Sequence, residues 1–241
     1  MPLPSPEDKE KAVQSMFTSI APRYDLNNSL LSLGLHHRWK QIAVAGAGAA
    51  PGDRVLDLCS GTADLAILLG RKVGDRGCVV AMDLNEPMLR EGQNKIRALS
   101  VGNVICLAGN AEALPFPDNT FQSVTVAFGL RNVGSLKPAL DGILRVLRPG
   151  GKLVCLEFST PGNPLLRGVY HLYSFYWIPW IATLISGDRT GTYRYLPASI
   201  RQFPDQETFR RKILETGFSD VSYRNLSGGI VAIHMGTKPV E

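Results

Sequence analysis

The middle of the chain alternates short apolar runs with stretches whose apolar residues recur at helical spacing. The apolar runs cover residues 54–58, 78–83, 103–108, 121–128 and 152–158, and the helical stretches cover 63–73, 87–99 and 137–147. Strands that are apolar throughout and alternate with helices are typical of a parallel sheet covered on both faces. The pattern therefore predicts a doubly wound α/β domain.

Two flanking regions complete this picture. Residues 6–47 show helical spacing with a break near Ala21 and Pro22. After residue 159 about fifty residues are rich in aromatic residues, Pro and Arg, and a helix over 205–216 follows, with Asp205 as a candidate N-cap. Two strands at 221–226 and 229–236 would form a hairpin, which gives a mostly parallel, seven-stranded sheet its one antiparallel strand. We expect a single domain with N-terminal helices (6–47), a core (51–159) and a helical and aromatic insertion (160–204).

The composition fits an intracellular globular protein. The chain has 241 residues, of which 44% are hydrophobic and 20% charged, as in ordinary soluble domains. The net charge of +5 permits acidic partners or a membrane surface, but the basic residues form no long run, which disfavours nucleic acid. None of the four cysteines forms a C-x-x-C pair, and the polar N-terminus is not a signal peptide. We expect a reduced, cytoplasmic protein.

One apolar segment, residues 168–187, approaches the length of a membrane span. It contains His171 and Pro179, and its aromatic residues are concentrated mid-segment at 173–177, whereas a span carries them at its ends. We interpret the segment as partly buried or interfacial, in contact with the inner membrane surface. A core-packing or dimer-forming helix is the alternative.

Polar residues follow the first predicted strand, where an open parallel sheet binds its ligands. Asp57 is followed by Gly61 and Thr62. A dinucleotide loop needs three glycines to approach a pyrophosphate, so a single glycine disfavours it. S-adenosylmethionine (SAM) has no phosphate, and Asp57 and Thr62 could meet its ammonium and carboxylate groups.

The next two strands also end in polar residues. Asp83 ends the second strand at the spacing where an acidic side chain accepts both ribose hydroxyls. Asn110 and the backbone N–H of Ala111 follow the third strand, and they match the donor and acceptor edge of adenine. A single Asp at a strand end is more often a turn or helix cap, but three such elements at successive strand ends predict a SAM site.

Two further motifs resemble the shared pattern of class I SAM methyltransferases: LPFPDNTF at 114–121 and LRPGG at 147–151. Narrower motifs resemble the UbiE/MenG quinone C-methyltransferases. These are YDLNN at 24–28, SLGLHHRWK at 32–40, FGLRNV at 128–133, GKLVCLEFS at 151–159, YRYLPASIRQFP at 193–204 and GGIVAIH at 228–234. The match runs from about Phe17 to Lys238, nearly the whole chain.

The resemblance implies a Rossmann-like class I fold, with SAM as methyl donor and no metal, that methylates a ring carbon of a polyprenyl quinol. It also implies that Thr62, Asp83, Asn110 and Ala111 bind SAM. Three positions depart from the family pattern. Ala63 replaces a glycine, so a positive φ there would be strained, Ala127 replaces a cofactor-contacting serine, and Gln122 replaces an aspartate.

Arg131 is the main catalytic candidate, because a fixed guanidinium at the active edge could stabilise the phenolate that makes the ring carbon nucleophilic. Pairing with a carboxylate or a helix C-terminus is its alternative role. Tyr24 and Asn132 are weaker candidates for orienting the substrate or closing the site. His36 and His37 could act as bases, although surface or capping roles are favoured for both.

Other readings of the same residues stay open. Glu157 matches a family position, but a structural role is equally compatible with it. A small-molecule O- or N-methyltransferase would have the same cofactor half, and a non-catalytic partner at the membrane could keep the fold without the reaction. The partners expected under the main hypothesis are a polyprenyl quinol, a membrane surface and a second copy of the chain or a biosynthetic complex, with no nucleic acid.

Overall fold

A computed structural model describes residues 6–172 and 192–240. The helices in these ranges are α1 (Pro6–Ile20), α2 (Tyr24–Leu31), α3 (Leu35–Gly46), α4 (Asp64–Val73), α5 (Glu86–Ala98), α6 (Leu136–Val146), α7 (Pro164–Leu172), α8 (Thr192–Gln202) and α9 (Gln206–Glu215). The strands are β1 (Arg54–Leu58), β2 (Cys78–Asp83), β3 (Val104–Ala108), β4 (Phe121–Ala127), β5 (Leu147–Phe158), β6 (Ser219–Leu226) and β7 (Val231–Thr237).

The seven strands form one sheet in the order β3-β2-β1-β4-β5-β7-β6. Strands β1 to β5 pair in parallel, whereas β7 is antiparallel to both of its neighbours. The predicted mostly parallel sheet of seven strands with one antiparallel member is confirmed. The order reverses between β1 and β4, and this switch point places the ligand site.

Each face of the sheet packs against its own hydrophobic core. Val55 belongs to the core shared with α3 and α4, whereas the next residue, Leu56, belongs to the core shared with α6 and α9. Both are fully buried. Successive side chains of a strand point to opposite faces, so a strand buried on both faces must be apolar throughout, which explains the runs in the sequence.

Side-chain caps fix two helix starts. Asp205 accepts the backbone N–H of Thr208 at 2.7 Å, which confirms the predicted cap of α9. Asn85 caps α5 in the same way through the N–H of Met88. Satisfying a free N–H of the first turn in this way is typically worth about 1 kcal/mol.

Strand β5 differs from its prediction, because it begins at Leu147 and not at residue 152. Leu147 already pairs with Phe121, and the register then shifts so that Ser123 pairs with Lys152. Gly150 has a φ of +75° within this shift, a conformation suited to glycine. Residues 149–151, which precede the predicted strand, therefore form an irregularity inside β5.

The N-terminal helices break where the sequence predicts, since a 3-10 turn (Ala21–Arg23) separates α1 from α2. The side-chain amide of Asn85 holds α1 by donating to the carbonyl of Gln14 and the hydroxyl of Thr18, both at 3.0 Å. Because Asn85 follows β2, this contact seats α1 on the carboxyl edge of the sheet.

The apolar segment at 168–187 falls largely outside the described residues. Residues 168–172 end α7, and 173–187 lie in the undescribed range, as do the aromatic residues expected to meet a membrane. Within 6–172 and 192–240, none of the helices combines the length and apolar character needed to cross a bilayer.

Candidate active site

Two adjoining cavities, of about 300 Å³ and 110 Å³, lie beyond the carboxyl ends of the parallel strands near the switch point. Tyr24 from α2, Cys59 and Gly61 after β1, and Phe128 after β4 line both. The smaller cavity contains the residues predicted to bind the nucleoside, and the larger one contains Arg131. The predicted cofactor residues Asp83, Asn110 and Ala111 therefore lie beside a second, larger cavity.

The loop after β1 turns sharply beneath these cavities. Cys59, Gly61 and Ala63 all have left-handed backbone, with φ of 54°, 56° and 60°. The predicted positive φ at Ala63 is confirmed, and an L-residue pays on the order of 1 kcal/mol for it. A Cβ atom on Gly92 of α5 would lie 3.0 Å from the Ala63 Cβ, so the glycine lets α5 pack closely against the loop.

Asp57 is buried at the base of the loop. Its carboxylate accepts the hydroxyls of Ser60 at 2.6 Å and of Thr125 at 2.8 Å. Burial raises the pKa of Asp57 to about 6, although both hydrogen bonds act to lower it. Asp57 thus holds the loop to β4 and also lines the larger cavity.

Asp83 ends β2 in the smaller cavity, with each carboxylate oxygen already accepting one backbone N–H. Gly61 donates to Oδ2 and Asn85 to Oδ1, both at 2.8 Å. Burial raises the pKa of Asp83, against the effect of these hydrogen bonds. A carboxylate oxygen accepts more than one hydrogen bond, so both can still accept the hydroxyls of a ribose.

Asn110 and Ala111 line the smaller cavity opposite. The side-chain oxygen of Asn110 accepts the N–H of Glu112 at 2.8 Å. Glu112 in turn accepts the N–H groups of Gly134 and Ser135 at 2.7 and 3.1 Å. These bonds tie the loop after β3 to the loop after β4 and give the cavity a fixed rim.

Arg131 lies in a buried turn after β4 and lines the larger cavity. Its Nη1 donates to Glu157 Oε1 at 2.7 Å and to the carbonyl of Phe128. The guanidinium carbon lies 5.3 Å from the ring centre of Phe158, within the range of a cation–π interaction. The site therefore holds the guanidinium in one orientation, and the pairing with a carboxylate that was considered as its alternative role is present.

Asn132 follows Arg131 and lines the smaller cavity. Its side-chain oxygen accepts the hydroxyl of Tyr195 at 3.1 Å, and Tyr195 itself lines the larger cavity. Burial raises the pKa of the Tyr195 phenol, so its hydroxyl keeps its proton at neutral pH. This contact brings α8 to the wall that the two cavities share.

A polar network joins the N-terminal helices to the loop after β1. Asp25 of α2 accepts the Thr62 hydroxyl at 2.6 Å and the Lys95 ammonium at 2.7 Å. Lys95 also pairs with Asp64, which pairs with Lys40 of α3 at 2.7 Å. The Thr62 side chain contacts Asp25 and Lys95 of this network, which links α2 and α3 to the predicted cofactor loop.

The two histidines of α3 lie in different environments. His36 is buried in the wall of the larger cavity, and its Nε2 lies 3.1 Å from the Ser29 hydroxyl. Burial, with smaller effects of Lys40 and His37, lowers the pKa of His36 to about 4, so its ring is neutral at pH 7. The surface or capping role favoured for His36 is wrong, because α3 turns this face inward, whereas His37 is exposed as expected.

The sequence from residue 6 to 238 matches the ubiE/COQ5 methyltransferase family. The chain belongs to this family. Among its relatives is the ubiquinone/menaquinone biosynthesis C-methyltransferase UbiE of Ectopseudomonas mendocina, 49% identical over 232 residues that cover 96% of this chain and 90% of the relative. The protein of the same name from Yersinia enterocolitica is 49% identical over 233 residues, with 96% and 92% covered.

Solved structures share the fold of this ubiE/COQ5 family member. A SAM-dependent methyltransferase from Aquifex aeolicus superposes with a TM-score of 0.59 at 19% identity, over 82% of this chain and 88% of its own. The [4+2]-cyclase SpnF reaches 0.71 at 16% identity, over 95% and 96%. A likeness at this identity establishes the fold alone, since one fold serves different reactions. Family membership identifies this chain as a SAM-dependent C-methyltransferase.

The structure of this family member gathers the residues singled out from the sequence around the two cavities. Asp83, Asn110, Ala111 and Asn132 line the smaller cavity, Asp57, Thr62 and Arg131 line the larger one, and Tyr24 and Gly61 line both. Ala127, which replaces a serine of the family pattern, also lines both cavities. The Gln122 side chain lies away from them and accepts the N–H of Arg54 at 2.9 Å.

Three residues of the site were missed by sequence reasoning. Tyr195 lies in a motif shared with the family, and that motif was the available signal for it. Asp25 lies in another such motif. No pattern marked Lys95, because it reaches Asp25 and Asp64 across 70 and 31 residues of sequence, and only the folded chain brings them together.

Proposed function

We propose that this methyltransferase transfers the SAM methyl group to a ring carbon of a demethylated polyprenyl quinol, of the demethylmenaquinol or 2-methoxy-6-polyprenyl-1,4-benzoquinol type. One observation carries the proposal: a cavity lined by Asp83 and Asn110 adjoins a larger, mostly apolar cavity, whose lining includes aromatic and leucine side chains and the buried guanidinium of Arg131. The names of the relatives, which describe ubiquinone and menaquinone biosynthesis, support it.

The cofactor half fits SAM in its donor set. In the smaller cavity, Asp83 takes the ribose hydroxyls, and Asn110 and the N–H of Ala111 take the adenine edge. The loop formed by Asp57 and Thr62 takes the amino-acid end. Bound SAM supplies an electrophilic methyl group on a positively charged sulfur, so the protein needs to align the acceptor carbon with it and exclude water.

The acceptor half favours an aromatic alcohol. Loss of the hydroxyl proton to water places negative charge on the quinol, and this charge delocalises onto the ring carbon. That carbon would take the methyl group as its bond to the SAM sulfur breaks, which leaves S-adenosylhomocysteine, and the ring proton would then pass to water. Arg131 stabilises that charge from a fixed position, because Glu157 and Phe158 hold its guanidinium. Arg131 itself stays protonated. Tyr24 and Asn132 orient the substrate at the boundary of the two cavities.

The experiment incubates the purified protein with SAM labelled in its methyl group and a panel of demethylated naphthoquinols and benzoquinols. We expect the label on a ring carbon, located by fragmentation in mass spectrometry. Label on oxygen or nitrogen would identify a small-molecule O- or N-methyltransferase instead. SAM binding by calorimetry without transfer to any member of the panel would favour the non-catalytic alternative.

Variants of Arg131 test its role separately. Arg131→Ala should lower turnover about a hundredfold, the usual cost of removing an oxyanion partner, with little change in SAM affinity. Arg131→Lys should remain impaired, since it lacks the planar fork. The defect should ease at higher pH, where more of the quinol is ionised before it reacts. A loss that is independent of pH would instead assign Arg131 to substrate positioning.

A further inference from the structure

Four leucines around the turn between α2 and α3 are unusually exposed. Leu26 is 55% exposed, Leu30 and Leu35 are each 42% exposed, and Leu33 is 84% exposed. Leu26 and Leu30 are four residues apart on α2 and therefore lie on one face of the helix. We call these four side chains the leucine patch.

Leu33 is the residue of this patch that most needs an explanation. Its backbone is left-handed, with a φ of 50°, a conformation that costs a leucine on the order of 1 kcal/mol. The side chain gains little burial in return, since it is the most exposed of the large hydrophobic residues. A strained and solvent-exposed leucine is unfavourable in the isolated protein, which points to an apolar environment outside it.

The leucine patch lies at the mouth of the larger cavity. Leu33 and Leu35 belong both to the patch and to the lining of that cavity, and Leu31, the last residue of α2, belongs to the lining as well. An apolar surface continuous with an apolar cavity gives a long hydrocarbon tail a path that avoids water. The proposed acceptor carries such a tail, and this inference rests on that proposed function.

Basic residues flank the patch in the sequence. Arg23 and Arg38 are both exposed. Between Asp25 and Asp53 the sequence has no Asp or Glu, and Asp25 is paired with Lys95. Exposed leucines flanked by arginines match the apolar and anionic layers of a bilayer surface.

A second copy of the chain fits the patch less well. The four leucines expose on the order of 400 Å², about half of the roughly 800 Å² that each partner buries in a standard interface. A symmetric contact would also bring the exposed guanidinium groups of both copies into one interface. The small, basic and apolar surface suits a lipid layer better.

We propose that the leucine patch docks this methyltransferase on an anionic bilayer, so that the cavity mouth faces the membrane from which the quinol enters. Leu26, Leu30 and Leu33 insert among the lipid chains near the headgroups, and Arg38 contacts the lipid phosphates. This surface is separate from residues 168–187.

The test measures sedimentation of the full chain with phosphatidylglycerol vesicles. Leu33→Asn should weaken binding about tenfold, and the triple change with Leu26→Gln and Leu30→Gln about a hundredfold or more. Asn suits a left-handed backbone, so the thermal midpoint of Leu33→Asn should equal or exceed that of the wild type. Leu99→Gln is the matched control, because Leu99 is 49% exposed at the end of α5 and outside the patch.

Binding should be weaker to phosphatidylcholine vesicles, and SAM affinity should be the same in every variant. Wild-type protein that does not sediment, or a triple variant that sediments as well as the wild type, would overturn the proposal. A wild-type protein that is dimeric without vesicles, with a triple variant that is monomeric, would also overturn it. Methylation of a tail-less demethylated quinol by the wild type tests the proposed reaction without a membrane. The proposed reaction and the membrane docking can therefore fail separately.

Discussion

Replacing Glu157 with Gln removes the negative charge beside a buried guanidinium. The side chains of Arg131 and Glu157 are 6% and 2% exposed, and their charged atoms lie 2.7 Å apart. Removing one partner of such a pair leaves an uncompensated buried charge, at a cost of about 3–5 kcal/mol. In a protein of this size about 1 kcal/mol corresponds to roughly 2–4 °C, so the thermal midpoint should fall by about 6–20 °C.

The measurement is urea unfolding followed by circular dichroism, with the wild type and Glu157→Gln compared at pH 7. The control is Glu207→Gln, because Glu207 pairs with Arg210 on a surface helix and an exposed pair contributes little. A loss below about 1 kcal/mol in Glu157→Gln would refute the reasoning, since it would mean that water already reaches the pair.

A double variant separates stability from catalysis. Arg131→Met with Glu157→Met replaces the ion pair with apolar side chains, a change that is often neutral or stabilising in buried pairs. We expect it to recover most of the stability lost in Glu157→Gln while methyl transfer stays as low as in Arg131→Ala. A double variant with wild-type turnover would contradict the proposed role of the guanidinium.

Three other perturbations test the cofactor half. Asp83→Asn keeps the shape of the side chain but removes its charge, and SAM affinity measured by calorimetry should fall about tenfold to a hundredfold. The pKa of Asp57 in the folded protein, about 6, exceeds its ordinary value. Ionisation of this carboxyl therefore lowers the stability of the folded protein as pH rises from about 4 to 6. Urea unfolding across that range should show Asp57→Asn gaining up to about 3 kcal/mol in stability relative to the wild type. Lys95→Met removes the cation between Asp25 and Asp64, and hydrogen exchange should quicken in α2.

Each of these expectations has a result that would contradict it. Unchanged SAM affinity in Asp83→Asn would reduce that carboxylate to a loop cap for Gly61 and Asn85. A constant difference between Asp57→Asn and the wild type across the pH range would place the Asp57 pKa near its ordinary value. Unchanged exchange in Lys95→Met, with Lys137→Met as surface control, would show that α2 is held by its apolar contacts.

The sequence predicted the strands well because each strand is marked locally. A strand such as β1 is buried on both faces, and five successive residues reveal it. The same local signal predicted the positions of Asp83 and Asn110. Both lie at or just beyond the carboxyl ends of their strands, which form the ligand-binding edge of the sheet. The start of β5 was missed since Gly150 and its neighbours form a register shift that only the partner strand defines.

Contacts between distant residues were the harder part. His36 was expected at the surface, because the helical spacing of 6–47 does not say which face α3 turns inward. Arg131 and Glu157 were both noticed, but nothing in the sequence paired them. The network around Lys95 joins four segments that become neighbours only when α2 and α3 fold over the carboxyl edge of the sheet.

That network has a thermodynamic consequence for the two ligands. Asp25 belongs to the helix that covers the acceptor cavity, and its carboxylate binds Thr62 in the cofactor loop. A ligand that fixes α2 against the site also orders this loop. The conformational entropy of the loop is then lost once, on binding of the first ligand, and not again on binding of the second. We therefore expect the two ligands to bind cooperatively, and linkage would make the effect reciprocal: SAM would raise the affinity for the acceptor by the factor by which the acceptor raises the affinity for SAM.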